Sequence, residues 1–338
     1  GEARAVAAKF RERLAALRFG DTISASGAWG RSVRFGGVQF GTNFATQPTL
    51  VTTPMLAARG SAVVPSTVDV FVNGAQVASQ AVPPGPFTID HVPSITGAGQ
   101  MQVVITDALG RQQVLSQPYY TGPALLRAGL NEYSFELGSM RQDYGYASNS
   151  YGDLVTAATF RRGFTDQVTA EAHVEAQAGG PAAVGLNGAW QMGEFGILSA
   201  TMAAGGVDAM GWLAGFGFEH NGQRASLLAR TQFASESFAQ LGTVELENRP
   251  QQRTFVGFGL DFARYGNLQV AYGLQSFWTS RSQETIGVSH ALTLGDFGYL
   301  NLIVSQNIGA DTATDVFLNW TMPFGDRRSA AVSLRQST

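Results

Sequence analysis

The chain of 338 residues has no cysteine, a single lysine (Lys9) and few charged residues, which make up 14% of the sequence. The absence of cysteine excludes disulfides and thiolate metal sites. The charged fraction lies well below the roughly 25% of ordinary soluble domains. No stretch approaches the roughly 18 consecutive apolar residues that a transmembrane helix needs. The formal net charge of -3 is too small to indicate a nucleic-acid partner.

Glycine and aromatic residues are abundant instead, with 41 glycines and 11% aromatic residues. Low charge, high glycine and aromatic content, and the lack of a hydrophobic helix are together typical of a membrane β-barrel, which hides its hydrophobicity in alternation. The alternative at this level is a large soluble all-β protein.

Long alternating segments begin at about residue 132. In one of them, Val168 and Val174 share an apolar face, whereas Glu171, His173 and Glu175 share a polar face. The same pattern covers residues 210–219, 224–233, 255–262 and 315–322. Strands of a soluble sandwich also alternate, but they are usually five or six residues long and carry more charge. The pattern therefore favours a lipid-facing barrel.

A module of different character interrupts these strands between about residues 55 and 120. Val68 and Val70 alternate with Asp69, and the run stops at Asn73-Gly74, a strong hairpin signal. Proline cannot donate to a sheet, so residues 83–86 are not predicted in a central strand. Residues 101–106 form an apolar run that predicts a strand buried on both faces. The module is predicted to be an immunoglobulin-like β-sandwich of about six short strands.

Strands are expected on both sides of the module, about two before it and about twelve after it. Residues 31–40 are predicted as a strand, and residues 13–19 as a strand leading into a turn at Gly20-Asp21. A barrel of about fourteen strands is roughly 18 Å wide inside, whereas a domain of about 60 residues is roughly 27 Å across. The module therefore either lies below the barrel, or the chain is part of a larger barrel.

The polar residues predict neither a catalytic site nor a metal site. Glu171, His173 and Glu175 lie on one face of a strand, but three ligands spread over ~13 Å cannot converge on one metal ion. No serine stands in the strand–turn–helix context of a nucleophile. We therefore predict no catalytic residue, metal or cofactor. Six aromatic residues are candidates for the interfacial girdles of a barrel, with core packing as the alternative: Trp190, Trp212, Trp278, Trp320, Tyr265 and Tyr299.

Several segments resemble outer-membrane fimbrial ushers of the chaperone–usher pathway. Residues 32–43 look like the strand before the usher plug domain, residues 65–87 look like the plug, and residues 125–138 look like the strand that resumes after it. Residues 322–328 resemble a turn further round the barrel. Residues 39–43 and 117–120 look most like the archaic branch. The plug signature comprises Val68, Asp69, Val70, Asn73, Gly74, Pro83, Pro84, Gly85, Pro86, Phe87, Asp107, Gly110 and Arg111.

The resemblance implies an all-β fold, a partial transmembrane antiparallel β-barrel with an inserted plug domain. Residues 1–54 would hold the first barrel strands, residues 55–120 the plug, and residues 121–338 further barrel strands. It also implies a multi-pass pore in the outer membrane of a Gram-negative bacterium. Such a pore takes fimbrial subunits from a periplasmic chaperone and passes the growing fibre without nucleotide. Ushers also have periplasmic domains, so we expect this chain to be a fragment.

Contacts between the plug and the lumen wall would keep the pore closed. Candidates on the wall are Glu171, Glu175, Arg224, Arg230 and Asp261. Candidates on the plug are Asp69, Asp90, Asp107 and Arg111, although residues 107–110 first of all predict a turn. Two other functions stay open: a general diffusion porin with a constricting insert, and a barrel-anchored adhesin.

Overall fold

The computed structural model describes residues 6–10, 14–92, 96–107, 109–243, 249–309, 312–324 and 328–338. Two compact units emerge from the contacts: unit 1 comprises Gly1–Asp208 and Ala239–Gly242, and unit 2 comprises Ala209–Phe238 and Thr243–Thr338. Within the described ranges, no helix is both long and apolar enough to cross a membrane.

Unit 1 contains eight long antiparallel strands in the hydrogen-bonded order β1-β2-β3-β10-β11-β12-β13-β14. They are β1 (Val6–Phe10), β2 (Ala15–Ile23), β3 (Arg34–Thr42), β10 (Asn131–Arg141), β11 (Tyr151–Thr165), β12 (Val168–Gln177), β13 (Ala182–Gln191) and β14 (Ile197–Gly206). Strands β3 and β10 pair directly with each other, although the module is inserted between them in the sequence.

The module forms two sheets of its own, in the orders β6-β5-β8-β9 and β4-β7. Its strands are β4 (Leu56–Ala62), β5 (Ser66–Val72), β6 (Ala75–Val82), β7 (Gly85–Val92), β8 (Gly97–Asp107) and β9 (Gln112–Thr121). Inward side chains of both sheets, among them Val68, Met101 and Tyr119, make one buried core. The predicted six-stranded sandwich is confirmed.

Turn chemistry in the module follows the sequence closely. Asn73 and Gly74 both have positive φ, +49° and +84°, which is the type I′ geometry that joins β5 to β6. Pro86 lies in β7, an edge strand, where a missing N–H costs no ladder hydrogen bond. One prediction was wrong: β8 is buried on one face only, because Met101 faces the core whereas Val104 is half-buried on the outer face of the sheet.

The described residues of unit 2 form eight antiparallel strands, β15 to β22, in chain order. They are β15 (Met210–Asn221), β16 (Ala225–Ala234), β17 (Pro250–Asp261), β18 (Asn267–Phe277), β19 (Gln283–Thr293), β20 (Tyr299–Ile308), β21 (Ala313–Phe324) and β22 (Arg328–Ser337). Short 3-10 turns, Ala263–Tyr265 and Gly295–Phe297, connect two of the pairs. The resemblance assigned to the turn at residues 322–328 depends partly on residues 325–327, which lie outside the described ranges.

The alternation of faces is confirmed in both units. In β12, Val174 is 48% exposed whereas Glu175 is 2% exposed. In β15, Trp212 and Phe216 are exposed, whereas Leu213 and Gly215 between them are buried. All six girdle candidates are exposed, which excludes core packing for them.

The expected strand number was close but low. Among the described residues, three strands of the long sheets precede the module and thirteen follow it. Gly20 and Asp21 do not form the predicted turn, because β2 continues through them and pairs with β3 as far as Ile23. Glycine at position 20 adopts a φ of +109° within the strand.

Candidate functional site

A row of polar side chains on β10, β11 and β12 lies on the face of unit 1 opposite the exposed apolar side chains. We call it the inner face. The antiparallel register sets His173 beside Thr159, and Glu171 beside Arg161. Alternation along β12 then brings Glu175 to the same face. Glu136 on β10, His173 and Glu175 are almost completely buried, so their polar atoms need partners within the protein.

The loop that joins β2 to β3, residues 24–33, supplies some of these partners and is called the inner loop below. The backbone N–H of Ala25 donates to Glu136 Oε1 at 3.1 Å, and that of Ala28 donates to Glu171 Oε1 at 2.6 Å. Gln39 also donates to Glu136 Oε1, at 3.0 Å. The long strands of unit 1 are called the wall below. Carboxylates of the wall thus accept hydrogen bonds from backbone donors of the inner loop.

A second segment, Ala239–Gly242, reaches the same face of unit 1. The backbone N–H of Leu241 donates to Glu175 Oε1 at 2.8 Å. Glu175 Oε2 lies 3.0 Å from His173 Nε2, and His173 Nδ1 lies 2.7 Å from Thr159 Oγ1. One hydrogen-bonded chain therefore links the segment, β12 and β11.

Close packing explains two glycines of the inner loop. The edge of the Trp29 ring meets His173 with 5.0 Å between ring centroids. A Cβ at Gly30 would lie 2.4 Å from Ser26 O, and one at Gly27 would lie 2.7 Å from Glu171 Oε1. Gly27 also has a φ of +56°. Only glycine suits both positions, at Gly30 because of the loop's own Ser26 carbonyl and at Gly27 because the loop backbone lies against Glu171.

The order Thr159, His173, Glu175 has the appearance of a nucleophile, base and orienting acid. The His173 and Glu175 side chains are only 0% and 1% exposed, and Trp29 and Leu241 lie against them. Thr159 lines the cavity described below, but its hydroxyl is bonded to His173, and the hydrogen bonds continue through Glu175 to the Leu241 N–H, so they serve to fix the segment Ala239–Gly242 on β12. In the part of the chain that the structure describes, no group of three His, Asp or Glu side chains is placed to hold a metal.

A cavity of about 430 Å³ adjoins the inner loop. Its wall carries Arg18, Glu132, Arg161 and Glu171, and Arg161 pairs with Glu132 at 3.0 Å. Both signs of charge therefore line the space, as expected of a water-filled interior.

The five wall residues assigned to plug contacts fall in different surroundings. Glu171 and Glu175 bind the inner loop and Leu241, as described above. In unit 2, Arg224 and Arg230 are exposed, and Asp261 Oδ1 accepts the Ala263 N–H at 2.7 Å. Contact of these five residues with the module stays a prediction.

Most of the polar plug candidates form hydrogen bonds or ion pairs within the module itself. Asp69 Oδ1 accepts from Gln76 at 2.9 Å. Asp107 accepts the N–H groups of Leu109 and Arg111 and pairs with the Arg111 side chain at 2.7 Å, closing a turn in which Gly110 has a φ of +79°. Asp90 is exposed on β7. Their predicted role as latch partners stays untested.

The apolar and turn residues of the plug signature form part of the core, turns and loops of the module. Val68 and Val70 are in the core, and Phe87 packs against it. Gly85 has a φ of +121°. Pro83 and Pro84 are exposed in the loop that leads to β7.

The segment that leaves the module, residues 122–130, is called the exit segment; the resemblance assigned residues 125–130 to the strand that resumes after the plug, but β10 begins only at Asn131. Arg161 donates to the carbonyls of Pro123 and Ala124 at 2.9 and 2.8 Å. The N–H of Leu126 donates to Thr169 Oγ1 at 2.8 Å. The neighbouring pair Leu125-Leu126 is buried, and this apolar pair after a Gly-Pro dipeptide was the available signal.

Long antiparallel strands with an apolar outer face, interrupted by a small β-sandwich, define an outer-membrane β-barrel protein that carries an inserted module. The family model described as outer membrane usher protein matches residues 6–338. The chain belongs to the outer membrane usher family, and its compartment is the outer membrane. The predicted recognition and fold class are confirmed; the archaic branch stays a prediction.

Two proteins to which the chain is similar are longer than it. Outer membrane usher protein FimC of Bordetella pertussis is 27% identical, in an alignment covering 94% of this chain and 39% of that protein. The F1 capsule-anchoring protein of Yersinia pestis is 25% identical, with 74% of this chain and 32% of that protein covered. The chain thus spans about two-fifths of the first relative's length.

Two solved structures share the fold. The E. coli P pilus tip assembly intermediate PapC-PapD-PapK-PapG, in its second conformation, has a TM-score of 0.75 at 18% identity, covering 99% of this chain and 43% of that chain. The P pilus usher (PapC) translocation pore has a TM-score of 0.60 at 17% identity, covering 98% of this chain and 70% of that chain.

Proposed function

We propose that the protein containing this chain is an usher pore that assembles and secretes fimbrial subunits, with the module as its plug. The carrying observation is the match of the outer membrane usher model to residues 6–338. Residues 1–54 and 121–338 would form the barrel wall, and residues 55–120 the gate. The partners would be chaperone–subunit complexes, the growing fibre and outer-membrane lipid.

The geometry of unit 1 supports an orientation for this function. At one end of its strands lie two long loops, residues 24–33 and 142–150, together with the short turn at residues 178–181, whereas at the other end the wall strands are joined only by short turns, among them residues 166–167 and 192–196. Outer-membrane barrels have short periplasmic turns and longer extracellular loops. The module is attached at the end with the short turns, because it joins Thr42 to Asn131. It would therefore face the periplasm, where chaperones deliver subunits.

The proposed activity needs no catalytic side chain. Subunit polymerisation by donor-strand exchange adds a strand to an incomplete sheet, and main-chain hydrogen bonds supply the affinity. The wall and the gate then have only to position and release the fibre. This agrees with the structural use of Thr159, His173 and Glu175.

Deletion of residues 55–120 from the full-length gene product tests the proposal against a diffusion porin. An usher without its plug should show a large, constantly open conductance in planar bilayers. Loss of the whole gene should remove surface fibres, and the wild-type gene should restore them. Unchanged fibres together with a loss of small-solute uptake would favour the porin instead.

A further inference from the structure

Strand β9 ends with two tyrosines that belong to different parts of unit 1. Tyr119 is buried in the core of the module. Tyr120 is 1% exposed and clusters with Leu125 of the exit segment and with Ala189 and Ile197 of the wall. Neighbouring residues of a strand point to opposite faces. One rigid strand therefore fastens the module core on one side and the wall on the other.

Hydrogen bonds reinforce the wall side of this joint. The Gln191 side chain, at the end of β13, donates to the Tyr120 carbonyl at 2.6 Å. The exit segment that follows is held by Arg161 and Thr169. Beyond Tyr120 the chain is thus part of the wall.

Beside Tyr120, the junction between the module and the wall contains a cleft. An open cleft of about 600 Å³ separates the base of the module from the turns of the wall, and it is lined by Pro54, Arg59, Gln167, Glu194 and Phe195. The incoming segment contributes the Thr52 carbonyl, which accepts the Arg127 N–H at 2.7 Å. Protein cores are packed without voids of this size, so the module and the turns do not pack tightly across the cleft, and buried residues of the junction, among them Pro54 and Tyr120, lie at its edge.

We infer that Tyr120 is a latch that holds the module docked at the short-turn end of the wall. The inference rests on the proposed function in one respect, the role of the module as a movable gate. Movement of the module away from the turns requires Tyr120 to leave its site between Leu125, Ala189 and Ile197, or β9 to break beside it. Because movement must break either this contact or the adjoining end of β9, the contact shifts the balance of positions toward docking.

Crosslinking can test the latch directly, because the chain has no native cysteine. Arg59→Cys on the module and Glu194→Cys on the wall line the same cleft, and a short bismaleimide would join them in the full-length protein in outer membranes. Gln167→Cys with Glu194→Cys is the matched control, since both residues belong to turns of the wall.

Tyr120→Ala should lower the crosslinking rate of the Arg59–Glu194 pair about tenfold or more, as loss of a packed aromatic does to a two-state balance. The control pair should react as in the wild type, and Tyr120→Phe, which keeps the ring, should change the test pair little. An unchanged test pair in Tyr120→Ala would overturn the latch.

A lower crosslinking rate in both the test pair and the control pair would show that the turns of the wall had themselves moved. Gln191→Ala and Tyr120→Leu would then be measured, because they weaken the contact of Tyr120 with the wall less than Tyr120→Ala does. If neither variant changed the crosslinking rate of the Arg59–Glu194 pair, the latch would also be overturned. The crosslinking result does not depend on fibres. Altered crosslinking in Tyr120→Ala, together with an unchanged conductance on deletion of residues 55–120, would uphold the latch and contradict the module's role as a gate.

Discussion

Gly163 shows how one missing side chain fixes the exit segment. The Gly129 N–H donates to the Gly163 carbonyl at 2.8 Å, and the Gly163 N–H donates to the Leu130 carbonyl at 3.1 Å. A Cβ at position 163 would lie 2.2 Å from Leu126 O and 2.3 Å from Arg127 O. Both obstacles are backbone atoms, so the segment itself would have to shift.

Gly163→Ala is therefore expected to loosen the exit segment at a cost of about 1–3 kcal/mol, typical of overpacking. Trypsin should then cut after Arg127 roughly five- to a hundred-fold faster than in the wild type, since each 1.4 kcal/mol is tenfold. Mass spectrometry of the fragments would measure the rate. Gly188→Ala on β13 is the control, because no atom lies within 4 Å of its added Cβ. Equal rates in the two variants would contradict the close approach.

Asp107 gives the module a pH dependence of defined sign. Its pKa lies below the ordinary 3.8, chiefly because the Arg111 N–H donates to the carboxylate; burial opposes this, and the Arg111 side chain and the Leu109 N–H add to it. A depressed folded-state pKa contributes stability that is complete above the unfolded value and is lost as the pH falls through the folded value.

The urea midpoint of the module should therefore fall between pH 5 and pH 2.5 by more in the wild type than in Asp107→Asn. Hydrogen-exchange mass spectrometry on peptides of β5 and β8 would follow the module within the whole chain. Asp90→Asn, on exposed β7, should behave as the wild type. The same fall in Asp107→Asn as in the wild type would show that the turn contributes nothing.

At the scale of elements, period-two alternation was enough to predict which side chains face out. Val174 and Glu175 lie on the predicted faces because strand geometry is local. Asn73-Gly74 likewise specified its own turn. The inner loop could not be predicted, because Ala28 and Glu171 are 143 positions apart and the contact depends on how strands assemble. The Tyr120 site is similar, since it joins three separate elements.

The inner loop should loosen when the buried His173 ring that Trp29 packs against is removed. His173→Ala deletes the partner of both Thr159 and Glu175 and the ring that Trp29 meets. Leaving a buried polar group unpaired costs about 1–3 kcal/mol. Tryptic cleavage after Arg31 is therefore expected to accelerate about five- to a hundred-fold.

Val174→Ala supplies the matched control, because Val174 is the next residue of β12 and points to the exposed face. It should leave cleavage after Arg31 unchanged. Acceleration in the control as well would mean that β12 as a whole had been destabilised, and Glu171→Gln, which can keep the Ala28 hydrogen bond through its amide oxygen, would then be expected to protect Arg31 as the wild type does.

At the scale of the whole molecule, the exposed apolar faces fit the outer membrane because lipid covers them. Leu186 on β13 is 55% exposed and lies opposite Ala172. Its neighbour Asn187 points to the inner face and accepts from Thr201 at 2.8 Å. An arginine on the lipid face near the midplane costs about 2–4 kcal/mol, whereas changes facing the lumen are tolerated.

Leu186→Arg is accordingly expected to reduce the folded, membrane-inserted fraction strongly in the full-length protein, and Asn187→Arg to leave it near the wild-type level. Heat-modifiable migration of outer-membrane fractions on gels measures that fraction. The two substitutions add the same side chain at adjacent positions, so charge and size cancel and only the face differs. If Asn187→Arg proved the more damaging of the two, the assignment of the lipid face would be reversed.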